Sequence, residues 1–207
     1  MYDKVSGQLF GNSGTGNFTL GQDIVPIEYL QSSGTQYIQL GFGFDRTDEI
    51  DLRGCMLETT DDRYFCASRI WNNNNNRFAM MGRNQSRFAF GFGNKTTNIT
   101  EFSYNIDNLS HVWTYANNVF AITDLNKTFD VSSITFGGTT TELRLFYGYN
   151  TPSKMSVYYY KHKKNGVLVA DLIPVRVGQV GYMFDKITHT LYGNAGTGDF
   201  ILGSDKT

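Results

Sequence analysis

The chain has 207 residues, of which 18% are charged, and a formal net charge of −1. That balance argues against a nonspecific grip on nucleic acid or on an anionic membrane surface, both of which need a basic excess, and no apolar run reaches the length of a transmembrane helix. Aromatic residues make up 15%, and 22 glycines stand against three prolines, a mixture that favours strands and turns over helices.

The opening segment, "MYDKVSGQLFGNSGTGNFTLGQD" (1–23), has no apolar core of the kind a signal peptide carries. It aligns without a gap to "MFDKITHTLYGNAGTGDFILGSD" (183–205), with 13 of 23 positions identical at an offset of 182 residues. A fixed offset marks a repeat, and this period is far too long for a solenoid unit, so the repeating object is a whole domain. Residues 1–23 therefore read as the hairpin-like C-terminal remnant of a preceding repeat, and residues 24–207 as one domain.

From residue 35 the chain is a series of short apolar or aromatic runs closed by Gly, Asn or Asp. "TQYIQLGFGF" (35–44), "EIDLRGCML" (49–57), "RYFCASRI" (63–70), "RFAMMG" (77–82) and "SRFAFGFG" (86–93) each predict a strand followed by a turn. "HVWTYANN" (111–118) alternates Val112, Thr114 and Ala116 against Trp113 and Tyr115; "VFAITD" (119–124) and "KTFDVSS" (127–133) come next through "ANN" and "DLNK" connections suited to hairpins. "ELRLFYGYN" (142–150) puts Leu143, Leu145 and Tyr147 on one face. "KMSVYYYKHKKNGVLVADLIPV" (154–175) holds two strands around Asn165-Gly166, with alternate tyrosines packing inward, and "GQVGYMFDKITHTLYGN" (178–194) gives another hairpin around Lys186 to His189. Gly193, Gly196 and Gly198 then mark a turn too crowded for a Cβ, and Phe200 and Leu202 alternate as in a closing strand. A phosphate-cradling loop would need a Lys-Ser/Thr directly after its last glycine and a helix, whereas Asp199-Phe200 follow Gly198 and lead into a strand pattern. The regular strand spacing without βαβ alternation predicts an all-β fold, an antiparallel β-sandwich or jelly roll. Cys55 and Cys66 fit either a disulfide between neighbouring strands or two buried free thiols.

"VPIEYLQSSGTQYIQLGF" (25–42), "HVWTYANN", "YYYKHKKNGVLVADLIPVR" (158–176) and "VGYMFDKITHTLYGNAGTGDFILG" (180–203) together resemble the signposts of a LamG-like, concanavalin A-like jelly-roll module. The resemblance spans about residues 25–205 and is weak between 45 and 110. Ala170, Val175 and Gln39 depart from it where Arg, Cys and Asp are common. It implies the sandwich fold and a setting in tail or fibre proteins of gut bacteriophages and prophages, or in surface proteins of gut bacteria. It implies no ligand, since one fold carries many functions.

The best enzymatic lead is "DEIDLRG" (48–54). Glu49 and Asp51 are two apart and share a strand face, as in jelly-roll glycosidases of the laminarinase type. Arg53 stands where the second catalytic carboxyl belongs, so one of the two required groups is missing; Arg53 would instead pair with Glu49 or Asp51. The three histidines lack metal-ligand spacing. No cofactor is expected, with Asp61-Asp62 and Asp48-Glu49 the only hint of a calcium site. No nucleophile elbow occurs.

The candidate ligand-binding residues lie in "SRIWNNNNNRFAMMGRNQSRFAFGFGN" (68–94). Trp71 offers an aromatic plate, Arg69, Arg77 and Arg83 offer guanidinium forks, and Asn73, Asn74 and Asn75 offer planar amides, the chemistry of a sugar site. An exposed polar hairpin tip has the same composition. The expectation is a non-enzymatic binding module of a virion tail or fibre, attaching to a host cell-surface glycan or protein, with neighbouring repeat modules or fibre subunits as partners and no nucleic acid or membrane. A ligand-free spacer or decoration domain and a bacterial surface adhesin are the alternatives, with a glycosidase last.

Overall fold

The computed structural model describes residues 2–3, 8–9, 23–58, 63–68, 76–83, 87–93, 95–98, 106–139, 141–148 and 151–206, with the backbone alone at 2–3, 8–9, 83 and 95–98. Every strand pairing among them is antiparallel, and the fold is an all-β, jelly-roll-like sandwich. One sheet has six strands, ordered β10 (Lys95–Asn98), β9 (Arg87–Phe92), β8 (Phe78–Arg83), β7 (Arg63–Ser68), β14 (Arg144–Leu145) and β5 (Ile38–Gln39). The larger sheet runs β13 (Lys127–Asp130), β12 (Val119–Ile122), β11 (Ser110–Ala116), β6 (Glu49–Met56), β17 (Lys154–Lys164), β18 (Val167–Val177), β19 (Val180–Asp185) and β20 (Leu191–Tyr192). Three short strands complete it: β3 (Ile24–Pro26) on β18, β4 (Leu30–Ser33) on β17, and β21 (Ile201–Leu202) on β4. Two ribbons stand apart, β1 (Tyr2–Asp3) with β2 (Gln8–Leu9), and β15 (Tyr147–Gly148) with β16 (Thr151–Pro152).

Aromatic rings fill the space between the sheets. Trp113 and Tyr115 of β11 and Phe120 of β12 point inward and are fully buried. The Trp113 indole meets Phe65, Phe88 and Phe90 at 5.0, 4.7 and 5.5 Å between ring centroids. Phe120 stacks on Phe90 at 4.3 Å and Phe92 on Tyr115 at 5.6 Å. The alternation of "HVWTYA" thus marks the core face, as the sequence implies.

Turn chemistry sets the registers. Asn165 (φ +48°) and Gly166 (φ +78°) join β17 to β18, with Lys164 opposite Val167; Asn117 (φ +51°) and Asn118 (φ +62°) join β11 to β12, with Ala116 opposite Val119. Both are two-residue turns with left-handed central residues, which suit the twist of the flanking strands.

Three expectations are corrected. In 35–44 only Ile38 and Gln39 form a ladder, because Gly41 (φ +75°) turns the chain after them. In 142–150 Leu143 and Leu145 are buried, but Phe146 takes the next inward place at φ +62°, and Tyr147 turns onto Tyr37 instead, with ring centroids 4.5 Å apart. Cys55 and Cys66 sit in opposite sheets rather than in neighbouring strands; of the two readings of the pair, that of two buried free thiols holds.

One polar chain runs into the core. His162 (β17) donates from Nε2 to Asp48 at 2.9 Å, and its Nδ1 meets the Tyr160 hydroxyl at 2.8 Å, with Tyr160 pointing toward the buried interior. Asp48 also accepts the Asp45 amide at 2.9 Å, so these buried groups are mutually satisfied.

Candidate functional site

Residues 49, 51 and 53 of β6 alternate outward, while Ile50 and Leu52 are buried. The register places Val112 and Tyr159 beside Arg53, and Thr114 and Lys161 beside Asp51. A register shift between Val157 and Tyr159 changes the alternation of β17. Tyr160 packs inward, but Tyr158 and Tyr159 are both only half-buried. The alternate-tyrosine expectation is corrected at this bulge, since an extra residue redirects the side chains around it.

The result is a recess of about 500 Å³ lined by Tyr29, Arg53, Ser110, Tyr158 and Tyr159 together with Glu28 and Lys206. Tyr29 and Tyr158 form a corner, their centroids 5.6 Å apart and their planes tilted by 57°. The Arg53 guanidinium lies 5.4 Å from the Tyr158 centroid and donates from Nε and an Nη to the Ser110 hydroxyl at 3.1 and 2.9 Å. Those bonds fix the guanidinium plane in advance, so less side-chain freedom is lost when it meets a ligand. Arg53 therefore pairs with Ser110 and Tyr158, not with Glu49 or Asp51 as the sequence suggests.

The two carboxylates face the same side but have other partners. The Tyr159 hydroxyl donates to Asp51 at 2.8 Å, and Lys163 donates to Glu49 at 2.9 Å. A second recess of about 380 Å³ has Glu49, Asp51, Thr114, Lys161 and Lys163 in its lining. The Tyr159–Asp51 bond links a residue lining the first recess to one lining the second. Burial, then the Asp51 carboxylate, push the Tyr159 phenol up, and burial raises that of Tyr158, so both remain hydroxyl donors at neutral pH. Cys55 is pushed up to about 11 by burial and by Asp107, which leaves it a thiol.

Of the sequence-predicted binding residues, Arg69, Trp71, Asn73, Asn74 and Asn75 lie outside the described residues. Arg77 is 6% exposed, its carbonyl accepts the Gly93 amide, and its side chain lies over Gly91. Arg83 ends β8 opposite Arg87. Asp61-Asp62 also lie outside the described residues, and Asp48 is engaged with His162. Among the described residues no three His, Cys, Asp or Glu side chains group as metal ligands. Sequence reasoning missed Tyr29, Arg53, Ser110 and Lys206 as a group, because they come from four distant segments. Only "VYYY" carried a signal, as a stripe of tyrosines.

No family model matches the chain, and no match is found among curated proteins.

Proposed function

We propose that this chain is a non-enzymatic binding module of the LamG-like kind, belonging to a phage or prophage tail or fibre protein, that holds a glycan on the host surface. The Tyr29–Tyr158 corner beside a pre-oriented Arg53 carries this reading. A sugar ring presents an apolar C–H face and polar edges; the corner receives the first, and Arg53, Ser110 and the tyrosine hydroxyls receive the second. The pairing of Glu49 with Lys163 and of Asp51 with Tyr159, with Arg53 standing on the same face where a second catalytic carboxyl belongs, supports binding over hydrolysis. Each contact is weak, and attachment through many copies multiplies it.

The test is a glycan array probed with the full chain, followed by titration of the best hit. Tyr158→Ala and Arg53→Ala are expected to weaken binding at least about tenfold, or roughly 1.4 kcal/mol, with unchanged circular dichroism. Loss of the hit on Trp71→Ala but not on Tyr158→Ala would move the site to the Asn-rich segment. A folded chain that binds nothing on the array would favour the ligand-free spacer, a reading consistent with an outer face whose charges also pair among themselves, as in Lys163–Glu49 and Lys186–Asp171.

A further inference from the structure

The closing segment, residues 183–205, is seated by a dense set of contacts. Asp185 accepts the amides of Asp171 and Ile187 and the Thr188 hydroxyl. The Asn194 side-chain oxygen Oδ1 accepts the Tyr37 and Gly196 amides, and the Thr197 amide donates to the Thr35 carbonyl. Phe200 is 5% exposed and lies 5.3 Å from Phe146; Ile201 and Leu202 pair with Gln31 and Leu30; Asp205 holds Arg176 through two bonds of 2.7 and 2.6 Å.

The second copy of this sequence, residues 1–23, differs at ten positions, and the differences spare the contacts just named; the Phe184–His189 ring stack on the exposed side has no counterpart, since Gly7 stands for His189. Eight fall where the closing segment is exposed: Ile187, Thr188, His189, Thr190, Ala195, Asp199, Ile201 and Ser204. Of these, Thr188 is replaced by Ser6, which keeps the hydroxyl. The other two exchange aromatic for aromatic, Phe184 for Tyr2 and Tyr192 for Phe10. The buried Met183, Asp185 and Phe200 recur as Met1, Asp3 and Phe18, and Asn194, Gly196, Leu202 and Asp205 as Asn12, Gly14, Leu20 and Asp23. Backbone pairing repeats as well: Tyr2 opposes Leu9 as Phe184 opposes Leu191.

We infer that residues 1–23 are a closing segment for another copy of this module, seating in the slot that residues 183–205 fill. The path of the chain directly after Asp23 makes a second chain the acceptor. Asp205 lies opposite Ile27, while Ile24–Pro26 pair with β18. For Asp23 to take the place of Asp205 in its own module, residues 24–26 would have to leave β18 and form the turn. In a second copy, Asp23 fills the slot and Ile24 starts β3 of the donor's own module, so adjacent modules join without a linker.

The experiment exploits Gly196, where an added Cβ would lie 2.1 Å from the Thr35 carbonyl oxygen. Gly196→Val expels the chain's own turn and leaves the slot intact for a donor that keeps Gly14. Sedimentation of the full-length Gly196→Val chain is expected to show concentration-dependent association, abolished by adding Gly14→Val. A variant that stays monomeric, unfolds without associating, or associates equally well with Gly14→Val overturns the inference. In a second full-length chain, the ten differing positions of 183–205 receive the residues of 1–23. It is expected to fold with a melting temperature within about 5 °C of the original, the scale of a 1–2 kcal/mol change at this size; failure to fold rejects the exchange.

Discussion

Asp185 is wholly buried, and two opposing effects act on its carboxyl. Burial pushes its pKa up, but the Asp171 amide, the Thr188 hydroxyl and the neighbouring amides outweigh burial and hold it below the usual carboxylate range. A folded-state value below the unfolded one, about 3.9, adds stability that is fully present above the unfolded value and is lost as pH falls through the folded one. Asp185→Asn is therefore expected to cost roughly 1.5–3 kcal/mol at pH 7, the range for hydrogen bonds to a charged group, and less at pH 3, below the unfolded value. Thermal melts of both chains at the two pH values check this, and an equal gap at both would reject it. The aspartate and its hairpin were legible in "MFDKITHT"; its buried acceptor role was not, because Asp171 comes from a different strand.

At the scale of elements, the turns were the most legible feature. Asn165-Gly166 specifies a two-residue hairpin because glycine enters the left-handed region without strain. At Gly166 an added Cβ would meet nothing within 4 Å, so Gly166→Ala isolates the backbone term. That term is about 1–2 kcal/mol, which should lower the melting temperature by roughly 2–8 °C. Asn117→Gly relieves a left-handed asparagine and is expected to leave stability unchanged or raise it; a loss comparable to that of Gly166→Ala would show that side-chain contacts dominate that turn. Strand faces were less legible where the backbone departs from period two. Phe146 is left-handed and the β17 ladder shifts after Val157, so the predicted places of Tyr147 and Tyr158 shifted with them. A one-residue irregularity reverses which side chains face the core.

For the whole molecule, the aromatic layer between the sheets holds the sandwich together. Trp113 is inaccessible to solvent and touches three rings of the opposing sheet. Trp113→Ala is expected to cost about 3–5 kcal/mol through lost burial and the cavity left behind, measured by denaturant unfolding. A cost under about 1 kcal/mol would mean that the sheets do not depend on this contact. By itself the sequence determined the all-β class, the hairpins, the inward face of β11 and the duplicated closing segment. Each of these is written in local periodicity, in turn residues or in direct repetition. Only the tertiary structure decided that Tyr29, Arg53, Ser110, Tyr158 and Lys206 share one recess, that the cysteines lie on opposite sheets, and that Arg53 turns to Ser110 rather than to Glu49 or Asp51. Those arrangements depend on which distant strands become neighbours and in what register, and long-range pairing leaves no trace in the spacing of a single segment.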